Sequence, residues 1–137
     1  MELRLIQRQL NLLKTTSNNG QNKVRVIEAP LKNPLAKASR SVFFLKKNFN
    51  SYSLLDVKLI TGRTHQIRTQ LSHLGFPILG DEKYGDFVLN KSLKKVGLKR
   101  MLLHAAELGF IHPLTLENMF IKAPMPIHIS NFISNNE

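Results

Sequence analysis

The densest run of side chains able to do chemistry is Thr61-Gly62-Arg63-Thr64-His65-Gln66-Ile67-Arg68. Two guanidiniums, an imidazole, an amide and two hydroxyls within eight positions suit the gripping and orienting of an anion rather than redox or metal chemistry. From Thr64 onward the apolar period is about 3.6: Ile67, Leu71 and Leu74 share a stripe, Gly75 stands where a helix-ending glycine belongs, and Pro77 follows. This spacing predicts a helix of about three turns. Before it, Leu54 to Ile60 alternates, with Leu55, Val57 and Leu59 on one face and Asp56 and Lys58 on the other, as in a strand covered on one side. The polar run thus lies between a strand end and a helix start, where backbone donors favour anions. On the helical wheel Arg68 lies about 100° from Ile67 and borders the buried stripe. Its guanidinium is either solvated on the helix flank or met by a carboxylate, a phosphate or carbonyl oxygens; both readings stay open at this level.

The remaining candidates have plainer readings. Asp56 falls within a strand, and Asp81 and Asp86 fall in a glycine-punctuated loop, where hydrogen bonds to turn backbone are the expected role. Tyr84 reads as a packing residue of that loop. His104 and His112 lack a cysteine or carboxylate at ligand spacing and read as hydrogen-bonded sheet residues. Gly80 to Gly85 has the length of a phosphate loop, but Asp86 and Phe87 occupy the Lys and Ser/Thr positions, which excludes it. Lys91, Lys94, Lys95 and Lys99 form either a solvated face or one that contacts an anionic partner.

Further strands are expected at Val24 to Ala29, Ser41 to Leu45, Leu102 to Ile111 and Met119 to Ala123, with a hairpin turn at Asn48-Phe49-Asn50-Ser51. A short lysine-rich helix over Asn90 to Leu98 and a last helix opened by Pro126 complete the pattern. Short turns between successive strands give an α+β domain, a largely antiparallel mixed sheet with a few helices. Met1 to Lys14 carries Leu3, Ile6, Leu10 and Leu13 on a helical stripe, the one stretch with the pattern of a surface helix or organelle presequence. Thr15 to Asn22 reads as a loop, dividing a divergent, flexible segment 1–22 from a domain over 23–137. The chain has 137 residues, enough for one core. No apolar run approaches the roughly 20 residues that span a bilayer, and the absence of cysteine excludes disulfides and thiolate chemistry, which fits a cytoplasmic protein. The net charge of +11 points to a polyanionic partner, and its distribution is uneven: residues 1–100 carry +13 and residues 101–137 carry −2.

Leu59-Ile60-Thr61-Gly62-Arg63-Thr64-His65-Gln66-Ile67-Arg68, followed by Gly75-Phe76-Pro77-Ile78-Leu79-Gly80-Asp81 and Tyr84-Gly85, resembles the signature of RluA-type pseudouridine synthases. Leu102-Leu103-His104-Ala105, Phe110 with His112-Pro113, and Ala123-Pro124-Met125 match in order, and Ala29-Pro30-Leu31-Lys32-Asn33 and the Arg100 region resemble the large-subunit rRNA branch. The resemblance covers roughly residues 23–126 and implies the C-terminal part of the pseudouridine synthase catalytic fold. It implies isomerisation of uridine to pseudouridine in RNA, with large-subunit rRNA as substrate and no cofactor or metal. It further implies that Arg68 supports a catalytic aspartate through an ion pair, and that Arg63, Thr64, His65 and Gln66 bind RNA. The family's nucleophilic aspartate lies in an Arg-Leu-Asp type motif upstream, which this sequence does not contain; the tyrosine-bearing segment is replaced by Gln9-Leu10-Asn11-Leu12-Leu13. Gln70 stands where a histidine is frequent, and Leu116 where a glycine often turns the later hairpin. The expectation is therefore a fragment whose missing half is supplied from elsewhere, for instance by a separate chain, and whose Arg68 awaits an absent carboxylate. The alternative is a non-catalytic basic remnant that binds RNA.

Overall fold

A computed structural model describes residues 9–16 and 22–28 as strands and residues 36–137 throughout. The chain runs β1 (Gln9–Thr16), β2 (Asn22–Glu28), β3 (Lys37–Asn48), β4 (Ser53–Leu59), α1 (Gln66–His73), α2 (Phe87–Lys95), β5 (Glu107–Ile111), β6 (Asn118–Lys122) and α3 (Ile127–Asn135). The first four strands form an antiparallel sheet in the order β2-β1-β3-β4, and β5 and β6 form a separate hairpin. This is the mixed α+β architecture expected.

The long strand β3 organises the sheet. Its first half pairs with β1 (Gln9 with Arg40, Leu12 with Lys37), and its second half with β4 (Ser41 with Leu59, Phe43 with Val57). A register shift between Leu45 and Lys47 lets the strand bend into the Phe49 to Tyr52 turn, closed by Phe49 N–H donating to Tyr52 O at 2.8 Å.

Residues 9–14, part of the stretch whose spacing has the pattern of a surface helix, form strand β1, which pairs with β2 on one side and, over Gln9–Leu12, with β3 on the other. Pairing with β2 and β3 satisfies their backbone groups, which overrides a helical spacing that rested on four residues. Residues 1–8 of that stretch, positions 17–21 of the expected loop, and the segment 29–33 that carried part of the resemblance lie outside the described residues. The expected strand over Leu102 to Ile111 is confined to Glu107–Ile111, because Leu102 N–H bonds instead to Leu79 O at 2.9 Å, tying that stretch to the loop after α1. Helix α2 begins three residues early, because the Asp86 carboxylate caps it by accepting from Leu89 N–H at 2.9 Å. Gly75, at φ 86°, ends the turn after α1 as its position predicted.

Among the described residues the apolar core is small: Phe43, Leu71, Leu93, Leu98 and Ile129 are buried. Between the β3–β4 turn, α1 and α3 lies a mostly apolar cavity of about 610 Å³, lined among others by Val57, Ile67, Leu71, Leu102, Ile129 and Phe132. The rings of Tyr52 and Phe132 meet across it at 5.5 Å. All ten residues of the β5–β6 hairpin are exposed, Leu108, Ile111 and Phe120 among them.

Candidate anion-binding site at the start of α1

Gln66 opens α1 and locks it to the sheet. Its amide nitrogen donates to Arg40 O at 3.0 Å and Ser41 Oγ at 2.8 Å. Its amide oxygen accepts from Thr61 Oγ1 at 2.8 Å and Arg63 N–H at 2.9 Å. It is 3% exposed, so these four bonds saturate a side chain that could not be buried otherwise. Expected among the RNA-binding residues, Gln66 is spent on the scaffold that fixes its neighbours. Gln70, one turn on, is also buried and donates to Ser39 Oγ at 3.0 Å, while its Oε1 has no partner among the described residues.

The residues before α1 present differently. Thr64 and Arg63 are exposed, and Arg63 Nε donates to Ala38 O at 3.2 Å. His65 is half-buried and left-handed, at φ 53° and ψ 26°. That conformation is costly for a residue with a Cβ, and here Thr69 repays part of it, since its N–H and hydroxyl both donate to His65 O at 2.9 and 3.0 Å. The turn aims the imidazole at Tyr84: Nδ1 lies 2.9 Å from the Tyr84 hydroxyl, with the rings 5.4 Å apart and near edge-on.

Arg68 does not wait for a carboxylate. Its Nε donates to Asp81 Oδ2 at 2.7 Å and its Nη2 to Asp81 Oδ1 at 2.8 Å, a two-pronged ion pair. The wheel placed Arg68 at the edge of the buried stripe, and its side chain is 20% exposed, while that of Asp81 is 1% exposed. An unpaired cation and a buried carboxylate would each be expensive, so the pair is the physical answer to both. Asp81 also performs the turn role expected of it, accepting at Oδ1 from Lys83 N–H at 2.9 Å and Tyr84 N–H at 3.0 Å. Burial pushes its carboxyl pKa up, but the Arg68 hydrogen bond and the Tyr84 and Lys83 backbone donors outweigh it and hold the group below the ordinary carboxylate value. Conversely the hydrogen bond to Asp81 raises the Arg68 pKa against desolvation. The Tyr84 ring lies 5.0 Å from the guanidinium carbon.

Asp81 is held from behind by Asn90 of α2. The Asn90 amide nitrogen donates to Asp81 O at 2.9 Å and its amide oxygen accepts from Gly80 N–H at 2.9 Å. Gly85 N–H donates to Asp81 O at 3.1 Å, and a Cβ on Gly85 would lie 2.2 Å from that oxygen, so only glycine fits there. The loop carrying Asp81 is thus as firmly held as the helix carrying Arg68.

Fully enclosed and gripped on both oxygens, Asp81 cannot reach a substrate carbon. Asp56 is exposed and pairs with Lys46 at 3.1 Å, and Asp86 is the α2 cap. His112 Nδ1 accepts from Leu114 and Thr115 N–H at 3.3 and 3.1 Å, and His104 Nε2 lies 3.2 Å from Ala123 O, so both serve the hairpin, as expected. Lys91, Lys94, Lys95 and Lys99 are exposed, with Lys94 paired to Glu82. Arg68 does not line the apolar cavity, although its neighbours Ile67 and Leu71 do.

The arrangement is an arginine fixed at one edge by Asp81, with the Tyr84 ring beside it and the His65 imidazole on that ring's hydroxyl, chemistry that can hold an anion in a set orientation. Comparison with known proteins gives the context. No family model matches the chain. It is 37% identical over 123 residues to the ribosomal large subunit pseudouridine synthase C of Haemophilus ducreyi, covering 90% of this chain and 37% of that protein. It is 38% identical over 125 residues to the protein of the same name from Buchnera aphidicola subsp. Baizongia pistaciae, covering 90% and 38%. Among solved structures, human RNA pseudouridylate synthase domain containing 1 superposes with a TM-score of 0.67 at 25% identity, covering 90% of this chain and 49% of that one. The chain spans a little over a third of the length of the curated relatives it matches.

Proposed function

Because this chain belongs to the RluA-type pseudouridine synthase family, as a partial region of it, we propose that it contributes the anion-orienting half of a uridine-isomerising site acting on large-subunit rRNA. Residues 23–137 are the partial catalytic domain in this reading. Arg68 acts as the cation of the site, with Arg63, Thr64 and His65 on the RNA-facing rim and the surrounding positive charge holding the phosphate backbone. The nucleophilic aspartate comes from polypeptide outside these 137 residues, for instance a separate chain, and the complex works in the cytoplasm without a cofactor. In the reaction the C1′–N1 bond of a flipped uridine breaks, C1′ rejoins the ring at C5, the C5 proton leaves and N1 gains one.

The observation that carries this is the way Arg68 is held. Asp81 occupies the Nε and Nη2 side, and no described residue accepts from Nη1. The far edge of a guanidinium offers a second two-pronged face, so an internal carboxylate and an external one can be bound together. The same ion pair favours a second reading. Since Arg68 is already neutralised within the chain, the fold is satisfied without a catalytic aspartate, as suits a non-catalytic RNA-binding protein.

Nucleoside analysis separates the two. Large-subunit rRNA is incubated with the chain and a polypeptide carrying the portion of a curated relative that the chain does not match, then digested and scored for pseudouridine. New pseudouridine that requires both polypeptides supports the first reading; RNA binding with none formed supports the second.

A further inference from the structure

We propose that Asp81 is a positioning residue for the isomerisation, fixing the plane of the Arg68 guanidinium so that its Nη1 edge meets the incoming catalytic carboxylate. This rests on the reading of Arg68 given above and adds a residue that never touches the substrate. An arginine side chain has four rotatable bonds and loses up to about 2 kcal/mol of rotamer freedom when ordered. Left on a helix flank, Arg68 would spend that at the moment the site assembles. Here it is spent on folding: two short bonds at 2.7 and 2.8 Å from one carboxylate define the guanidinium plane, and Tyr84 closes over it at 5.0 Å. The carboxylate is in turn immovable, because Lys83 and Tyr84 N–H hold Oδ1 while Asn90 and Gly85 hold the Asp81 carbonyl. His65 fixes the Tyr84 ring from the opposite side through its hydroxyl. The chain of restraint therefore runs from α2 through Asn90 and Asp81 to Arg68, and only the last member of it faces outward.

Two measurements on the whole chain and one on the complemented enzyme test this. In the first, hydrogen exchange of arginine Nε–H groups is followed by nitrogen-15 NMR: Arg68 Nε–H exchanges roughly tenfold or more slowly than that of exposed Arg100. That protection is lost on acidification with the same midpoint as the Asp81 carboxyl carbon signal. Exchange of Arg68 as fast as Arg100, or protection that persists after Asp81 titrates, overturns the proposal. In the second, Tyr84→Leu leaves both Asp81 oxygens in place and speeds Arg68 exchange; unchanged exchange removes Tyr84 from the device. In the third, Asp81→Asn, which keeps the oxygen facing Lys83 and Tyr84 N–H but sets an amide donor against Arg68, lowers kcat for tritium release about 100-fold. The KM for rRNA stays within about threefold, because RNA-facing residues are untouched. A raised KM at unchanged kcat contradicts a positioning role. Should wild-type chain and complement release no tritium at all while the exchange results hold, the function proposed above fails and the restraint of Arg68 by Asp81 stands.

Discussion

Replacing Arg68 by alanine separates two accounts of this cation. If Arg68 awaited an absent carboxylate, its removal would leave stability unchanged or improve it. The structure instead predicts a loss. Truncation strands a carboxylate that is 1% exposed, and breaking a buried pair from one side costs about 3–5 kcal/mol. Two backbone N–H groups still serve Asp81, and Arg68 itself is 20% exposed, which places the cost near the lower end. The lost contact with the Tyr84 ring adds about 0.5–1 kcal/mol. The sum is roughly 3–4 kcal/mol against a total stability of about 5–15 kcal/mol for a domain. Urea unfolding followed by circular dichroism reads this directly: with a slope of about 1–3 kcal/mol per molar urea, the midpoint falls by about 1 M or more. A midpoint within about 0.2 M of wild type would refute the reasoning, since it would mean the ion pair contributes nothing measurable.

The same pair sets the acid limb of stability. The folded pKa of Asp81 lies below its unfolded value of about 3.9, so its contribution is fully present above that value and is lost as pH falls through the lower, folded one. Wild-type stability should therefore drop below about pH 4, while Arg68→Ala, in which burial is no longer offset by the guanidinium, should show a flatter or reversed limb; parallel curves would contradict this. Leu116 is left-handed at φ 59° and 75% exposed, so Leu116→Gly should stabilise the chain by about 1 kcal/mol in the same urea melts, and a loss of stability would show that its side chain does work the structure does not reveal. RNA affinity should fall steeply with salt, and Arg63→Ala should reduce the slope of log K against log salt by about 0.7; a flat wild-type response would exclude phosphate contacts.

Much of this was legible in the sequence because the signals are local. The alternation in Leu54 to Ile60, the stripe Ile67, Leu71 and Leu74, and the glycine at 75 located β4, α1 and its end to within a few residues. Asp81 was correctly assigned to turn hydrogen bonds, yet its second task was invisible: Arg68 and Asp81 lie 13 positions apart and meet through the tertiary course of the loop, where Asn90 and Gly85 hold the Asp81 carbonyl. A signal did exist, since a cation bordering a buried stripe demands a partner, and the nearest acid in an ordered loop was Asp81. Gln66 illustrates a related limit. The resemblance implied a role toward RNA and said nothing of the sheet, whereas helix phase, with Gln66 and Gln70 one turn apart, places both against β3. In β1 a few helically spaced leucines competed with sheet pairing to partners that no local pattern names.

Tritium release from large-subunit rRNA labelled at uridine C5 tests the central claim most directly, with the chain alone, the chain plus the complementary portion of a curated relative, and the same mixture carrying Arg68→Met. The account predicts release only from the wild-type mixture. Turnover by the chain alone, or undiminished turnover with Arg68→Met, would contradict it.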